Sequence, residues 1–165
     1  MPSDIDTTAI GLHALITDVY GEDRRVSDVL CRFGFTEDQV IILKTVKVAE
    51  FYENIKFALT CRFLHYSGGH RLLSILMRRY GLFGHIKETL ESIGDSLGIS
   101  CERARQLENK AVQRLIGSVS SDAVGIVIAL AACRTLDIDA MGLLLTVKIK
   151  EHSDNEVAAP PDSLT

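Results

Sequence analysis

The stretch from Glu88 to Leu115, ETLESIGDSLGISCERARQLENKAVQRL, decides how this chain is read. Thr89 is placed to cap a short helix, because Leu90, Ile93 and Leu97 follow it at the three- and four-residue spacings that share one helical face. Gly98 then supplies the positive φ that stops that helix. Ser100 caps a second helix with Glu102 in its first turn, near the positive end of the dipole, and Ala104, Leu107, Ala111 and Leu115 give it one narrow apolar stripe. Two short helices joined by Gly-Ile-Ser form a helix-turn-helix. The stripe leaves Arg103, Arg105, Gln106, Asn109, Lys110, Gln113 and Arg114 outside the core, and such side chains meet phosphates and base edges in a DNA major groove. The plainer account of the same face is a solvated surface laced by i,i+4 pairs such as Glu102 with Gln106.

The wider segment RRYGLFGHIKETLESIGDSLGISCERARQLENKAVQRL, Arg78 to Leu115, resembles region 4 of bacterial sigma factors. The resemblance rests on the RYGL turn (Arg79 to Leu82), the TLE-x-IG helix (Thr89 to Gly94) and the ER-x-RQ-x-E-x-KA-x-x-x-L helix (Glu102 to Leu115), in order. It extends to Gly69 if Gly69 to Met77 forms the preceding helix. It implies a domain that reads the promoter −35 element as duplex DNA and rests on the RNA polymerase β-flap. On the family's pattern Glu102, Arg103 and Gln106 face bases and backbone, while Arg105, Lys110 and Arg114 lie near the DNA backbone or a neighbouring activator. Ser100, Cys101 and Asn109 complete the candidate DNA-binding set. Cys101 stands where sigma factors usually carry an arginine that contacts a guanine. A bidentate guanine contact is worth roughly 1–3 kcal/mol, so the usual −35 preference is in question.

Composition bounds the rest. At 165 residues and 47% hydrophobic, the chain can bury roughly two-thirds of its unfolded surface. Cys31, Cys61, Cys101 and Cys133 are widely spread, with no pair at zinc-knuckle spacing, and MPSDIDTTAI carries no secretory signal, which points to a reducing, cytoplasmic setting. The net charge is −4, but Arg71 to Leu115 holds eight Lys/Arg against five Asp/Glu, so the positive share sits in the helix-turn-helix segment.

Outward from that segment the pattern is helical throughout, which makes the expected fold all-α. Ile5 to Val19 carries an apolar stripe interrupted by Gly11, and Val26 to Phe33 forms a short helix that Gly34 ends. Thr36-Glu-Asp-Gln39 has the form of a capping box and opens a long helix running to His65. On it Ile41, Val48, Tyr52, Ile55, Leu59 and Phe63 line one face, with Leu43, Val46, Phe57, Cys61 and Leu64 on another. So wide an apolar surface needs cover, as the centre of the core or as a homodimer interface. Ser67-Gly-Gly reads as a flexible joint, dividing the chain into 1–66, a helix-turn-helix domain at 67–117, and 118–165. Leu72, Leu73, Ile75, Leu76 and Tyr80 mark a helix that Gly81 stops. Ser121 and Asp122 can cap a helix through Cys133. Its eleven-residue apolar run, Ala123 to Cys133, is too short to span a bilayer and reads as a buried helix or an oligomer contact. Met141 to Ile149 mixes helical and alternating patterns and is taken as helix, and His152 to Thr165 as a disordered tail.

Nothing in the sequence points to catalysis, a cofactor or a metal. His65 and His70 lack the three- or four-residue offset that places two ligands on one helix face, Asp137 and Asp139 read as a cap, and neither a GxSxG nor a P-loop occurs. The expected protein is a DNA-binding transcription regulator docking at promoters, without membrane association. The alternative is an accessory factor that spends the same surface on the β-flap or on a sigma factor. With no tryptophan in the chain, and Phe51, Tyr52, Phe57 and Phe63 on apolar helix faces, capture of melted promoter strand is not expected of it.

Overall fold

The computed structural model describes residues 1–117 and 122–143. These form eight α-helices: α1 (Asp4–Tyr20), α2 (Val26–Arg32), α3 (Glu37–Lys44), α4 (Val48–Leu64), α5 (Gly69–Tyr80), α6 (Leu90–Leu97), α7 (Cys101–Ile116) and α8 (Ala123–Leu136). A further helical stretch begins at residue 140, and no strand occurs among the described residues. The fold is all-α. Residues 144–149 and the tail from His152 lie outside the described residues.

Local chemistry sets most boundaries. Ser3 and Asp6 form a reciprocal capping box that starts α1, which runs unbroken through the buried Gly11. Thr36 and Gln39 do the same for α3, with Thr36 Oγ1 accepting from Gln39 N and Gln39 Oε1 accepting from Thr36 N. That helix does not continue to His65 as its sequence suggests. The chain leaves helical geometry at Thr45 (φ −123°, ψ −78°), whose hydroxyl donates to Ile41 O at 2.6 Å, and the Lys47 amide closes back onto Ile42 O at 2.9 Å. A β-branched pair, Thr45-Val46, sits at the break, and such residues lose side-chain freedom against the preceding turn of a helix.

One hydrophobic cluster draws on all eight helices. Phe51, Ile55, Leu59 and Phe63 of α4 are buried, and α4 packs on α8, whose Ala123, Val124, Val127, Ile128, Ala131 and Ala132 are buried too. The apolar run of α8 is therefore a buried helix. Polar contacts pin it at both ends. Tyr20 Oη donates to the Asp122 carboxylate at 2.7 and 2.8 Å while Asp122 caps α8 through Gly125 N, and at the far end Lys47 Nζ donates to Thr135 O and Asn54 Nδ2 to Thr135 Oγ1. Asp139 accepts from Met141 N and Gly142 N, which is the capping role read for it. The two faces expected along this stretch are only partly buried: on the first Ile41 is exposed, and on the second Leu43 is buried while Phe57 (53% exposed, with Arg134 over its ring), Cys61, Leu64 and Val46 remain exposed. At the turn Ser67-Gly68-Gly69 it is Gly69 that is close-packed, since a Cβ there would lie on the Phe63 carbonyl oxygen, while Gly68 faces open space at φ 69°.

Candidate nucleic-acid interface

Helices α5, α6 and α7 build the helix-turn-helix, and each join in it has an identifiable cause. Thr89 Oγ1 accepts from Ser92 N at 3.1 Å to start α6, Gly98 at φ 66° ends it, and Ser100 Oγ accepts from Arg103 N at 3.1 Å to start α7. The turn is tight because Gly94 has no side chain: a Cβ there would stand 2.9 Å from Ile99 O. Inside the corner, Ile93, Ala104, Leu107, Ala111 and Leu115 are buried, as are Leu72, Ile75 and Leu76 of α5, the helix that packs on α6 and α7.

Two arginines at the end of α5 lock this corner. Arg78 grips the residue before the α6 cap, with Nε to Glu88 Oε1 and Nη2 to Glu88 Oε2 both at 2.7 Å, and Nη2 also donates to Ser96 Oγ. Ser92 Oγ donates to the same carboxylate. These donors, Arg78 first, hold the Glu88 carboxyl down to about 2. Arg79 reaches the other way, to Glu108 of α7 at 3.0 Å and to Glu88 O at 3.2 Å. Part of the segment's positive balance is thus spent internally. Helix α1 crosses behind, where Tyr80 Oη donates to Asp18 at 2.6 Å and Thr8 Oγ1 accepts from Phe83 N.

On the outer face of α7, Cys101, Glu102, Arg103, Arg105, Gln106, Asn109, Lys110 and Gln113 are all exposed. At roughly 100° per residue, Glu102, Gln106, Asn109 and Gln113 form a row opposite the buried stripe, with Arg103 and Lys110 along one flank and Arg105 on the other. Arg103 Nη1 donates to Gln106 Oε1 at 3.1 Å, and neither Arg103 nor Lys110 makes an ion pair among the described residues. Arg105 pairs with Glu102 at 2.7 Å, which lowers the carboxyl and raises the guanidinium. Both partners are more than half exposed, so water screens the pair and either can exchange it for another ligand. Ser100, also exposed, has its oxygen engaged as the cap.

Arg114 stands apart from the rest of this set. Its guanidinium lies 4.2 Å over the Tyr66 ring, its Nε is buried without a hydrogen-bond partner, and its carbonyl accepts from Arg62 Nη2 at 3.1 Å. It belongs to the seam between α7 and the end of α4. Helical spacing alone puts Arg114 on the same flank as Lys110, and only the approach of Tyr66 from another part of the chain draws it inward. Among the described residues no group of histidine, cysteine or carboxylate side chains could hold a metal ion, and no helix is long and apolar enough to cross a membrane.

No solved structure matches the chain. Residues 70–115 match the family model described as Sigma-70, region 4, so the helix-turn-helix segment built from α5, α6 and α7 is similar to that region.

Proposed function

We propose that the protein is a transcription regulator that docks on promoter duplex by placing α7 in the major groove. The observation that carries this reading is the division of α7 into a buried apolar stripe and an exposed polar row flanked by cations. The apolar side of α7 is consumed within the fold, so what its outer face offers to a partner is hydrogen-bonding groups flanked by cations. Gln106 and Asn109 carry the amides suited to adenine, Glu102 the acceptor suited to cytosine, and Arg103, Arg105 and Lys110 the charges suited to phosphate. Ser100 and Cys101 lie at the helix N-terminus, where amides approach a phosphate. Arg114 has no part in the first contact, because it is committed to Tyr66.

A second reading has one observation in its favour. Cys101, exposed at the first position of α7, cannot make the bidentate guanine contact of the arginine it replaces, which favours an accessory factor acting on polymerase or a sigma factor. A gel-shift titration against salt, with and without polymerase, separates the two. On the DNA reading, Arg103→Ala and Arg105→Ala keep the fold, weaken binding, and shrink the salt slope by about 0.9 for each phosphate no longer neutralised. Unchanged affinity and slope in both variants refute it, and binding that appears only with polymerase supports the second reading.

A further inference from the structure

Away from the helix-turn-helix, α4 and α8 leave an open groove of about 560 Å³ between them. Its walls are Phe57, Ala58 and Cys61 on α4 and Ile126, Val127 and Leu130 on α8, and its ionisable lining among the described residues is Arg62, His65 and Arg134, with no carboxylate. Phe57 at 53% and Leu130 at 38% exposure are large apolar groups held out of the core. Among the described residues, Arg134 sits 4.5 Å over the Phe57 ring at one end of the groove and makes no ion pair, and Arg62, whose Nη2 donates to Arg114 O and whose guanidinium lies 5.5 Å from the Tyr66 ring, carries no carboxylate partner at the other end. From Ala123 to Arg134 the wall is about 16 Å long at 1.5 Å per residue, enough to seat about three turns of another helix.

We propose that this groove is a docking site for an amphipathic helix of a partner protein, one whose apolar stripe enters between Phe57 and Leu130 and whose flanking carboxylates meet Arg62 and Arg134. The charge of the rim selects this occupant. A second copy of the chain, docking by a two-fold axis, sets the same patch against itself and offers each arginine at the groove's ends only the other copy's arginines. An acidic helix meets both arginines with opposite charge and covers Phe57 and Leu130 at once, which is the helix-in-groove mode of recognition. The site lies outside residues 70–115, so a regulator bound to DNA through α7 can hold this partner at the same time.

The test uses the full chain and a fluorescently labelled helical peptide with leucines at i, i+4 and i+7 and glutamates on both flanks, followed by anisotropy, beside a counterpart with lysine in place of each glutamate. The acidic peptide binds saturably and the lysine peptide does not. Leu130→Glu and Arg134→Glu each weaken binding by about tenfold or more, while Val46→Glu, an exposed site outside the groove, leaves it unchanged. Thermal melts confirm that the three variants fold. Absence of binding, equal binding of both peptides, or indifference to Leu130→Glu and Arg134→Glu overturns the proposal. So does a wild-type dimer in sedimentation that Leu130→Glu dissociates, which gives the groove to a second copy. A benzophenone side chain at position 130 completes the test: crosslinking to the acidic peptide supports the proposal, and crosslinking to the chain's own residues 144–165 gives the groove to that segment and overturns it.

Discussion

Glu88→Gln tests the clasp that sets the angle between α5 and the rest of the helix-turn-helix. In the folded protein Glu88 accepts two parallel bonds from Arg78, both 2.7 Å, and a third from Ser92. Its carboxyl is held down to about 2 from an ordinary 4.5. Taken whole, that depression corresponds to a few kcal/mol, but the two side chains remain 17% and 26% exposed, and screening reduces the contribution to about 1–2 kcal/mol. The direction with pH follows from linkage. Because the folded carboxyl binds its proton more weakly than the unfolded one, the stabilisation is complete above about 4.5 and is lost as pH falls toward about 2. Urea unfolding of wild type and E88Q at a series of pH values should show a gap of about 1–2 kcal/mol at neutral pH that closes across this window. Other carboxylates titrate in both proteins and cancel in the difference. Arg78→Met in the E88Q background should cost little more, since the two residues act as one unit. A gap that stays constant from pH 7 to the acid limit would refute the clasp.

Gly94→Val should destabilise the protein by about 1–3 kcal/mol and lower DNA affinity with it, because the added side chain meets Ile99 O at 2.9 Å and forces the turn apart; an unchanged melting temperature contradicts that geometry. Tyr20→Phe removes the hydroxyl that donates to Asp122 and should lower stability by about 1–3 kcal/mol in a thermal melt, with DNA affinity unchanged because the contact lies at the start of α8. Cys101→Arg should raise preference for a −35-like duplex by roughly 1–3 kcal/mol in competition gel shifts. No gain there means that α7 enters the groove at a different angle from the family's.

What the sequence made legible is what neighbouring residues decide among themselves. The caps at Thr36, Thr89 and Ser100 and the stops at Gly81 and Gly98 are satisfied within one or two turns, the stripe Ala104, Leu107, Ala111, Leu115 is set by helical spacing, and all are found as read. The break between α3 and α4 has no such local mark. No glycine or proline punctuates Thr45-Val46-Lys47, and one partner that holds Lys47 after the break, Thr135 O, lies 88 residues away. Arg114 is a similar case, because its position depends on Tyr66.

Apolar periodicity shows that a face exists and leaves open what will cover it, and the two wide apolar surfaces of this chain end differently for that reason. Around α7 the apolar stripe is fully used, by α5 and α6 within the segment and by α1 from outside it, and the surface left over is polar. On α4 one face is used by α8 and the other, with Phe57, Cys61 and Leu64, is left exposed among the described residues. A side chain as large as Phe57 forfeits on the order of 1–2 kcal/mol of burial by staying half exposed. The fold recovers part of that through Arg134 lying over its ring, and an arginine so placed also deters another cationic patch from docking there. The same contact that makes the exposed ring tolerable thus restricts what can cover it, so the polar face of α7 and the apolar groove beside α8 are suited to partners of different chemistry on one small helical protein.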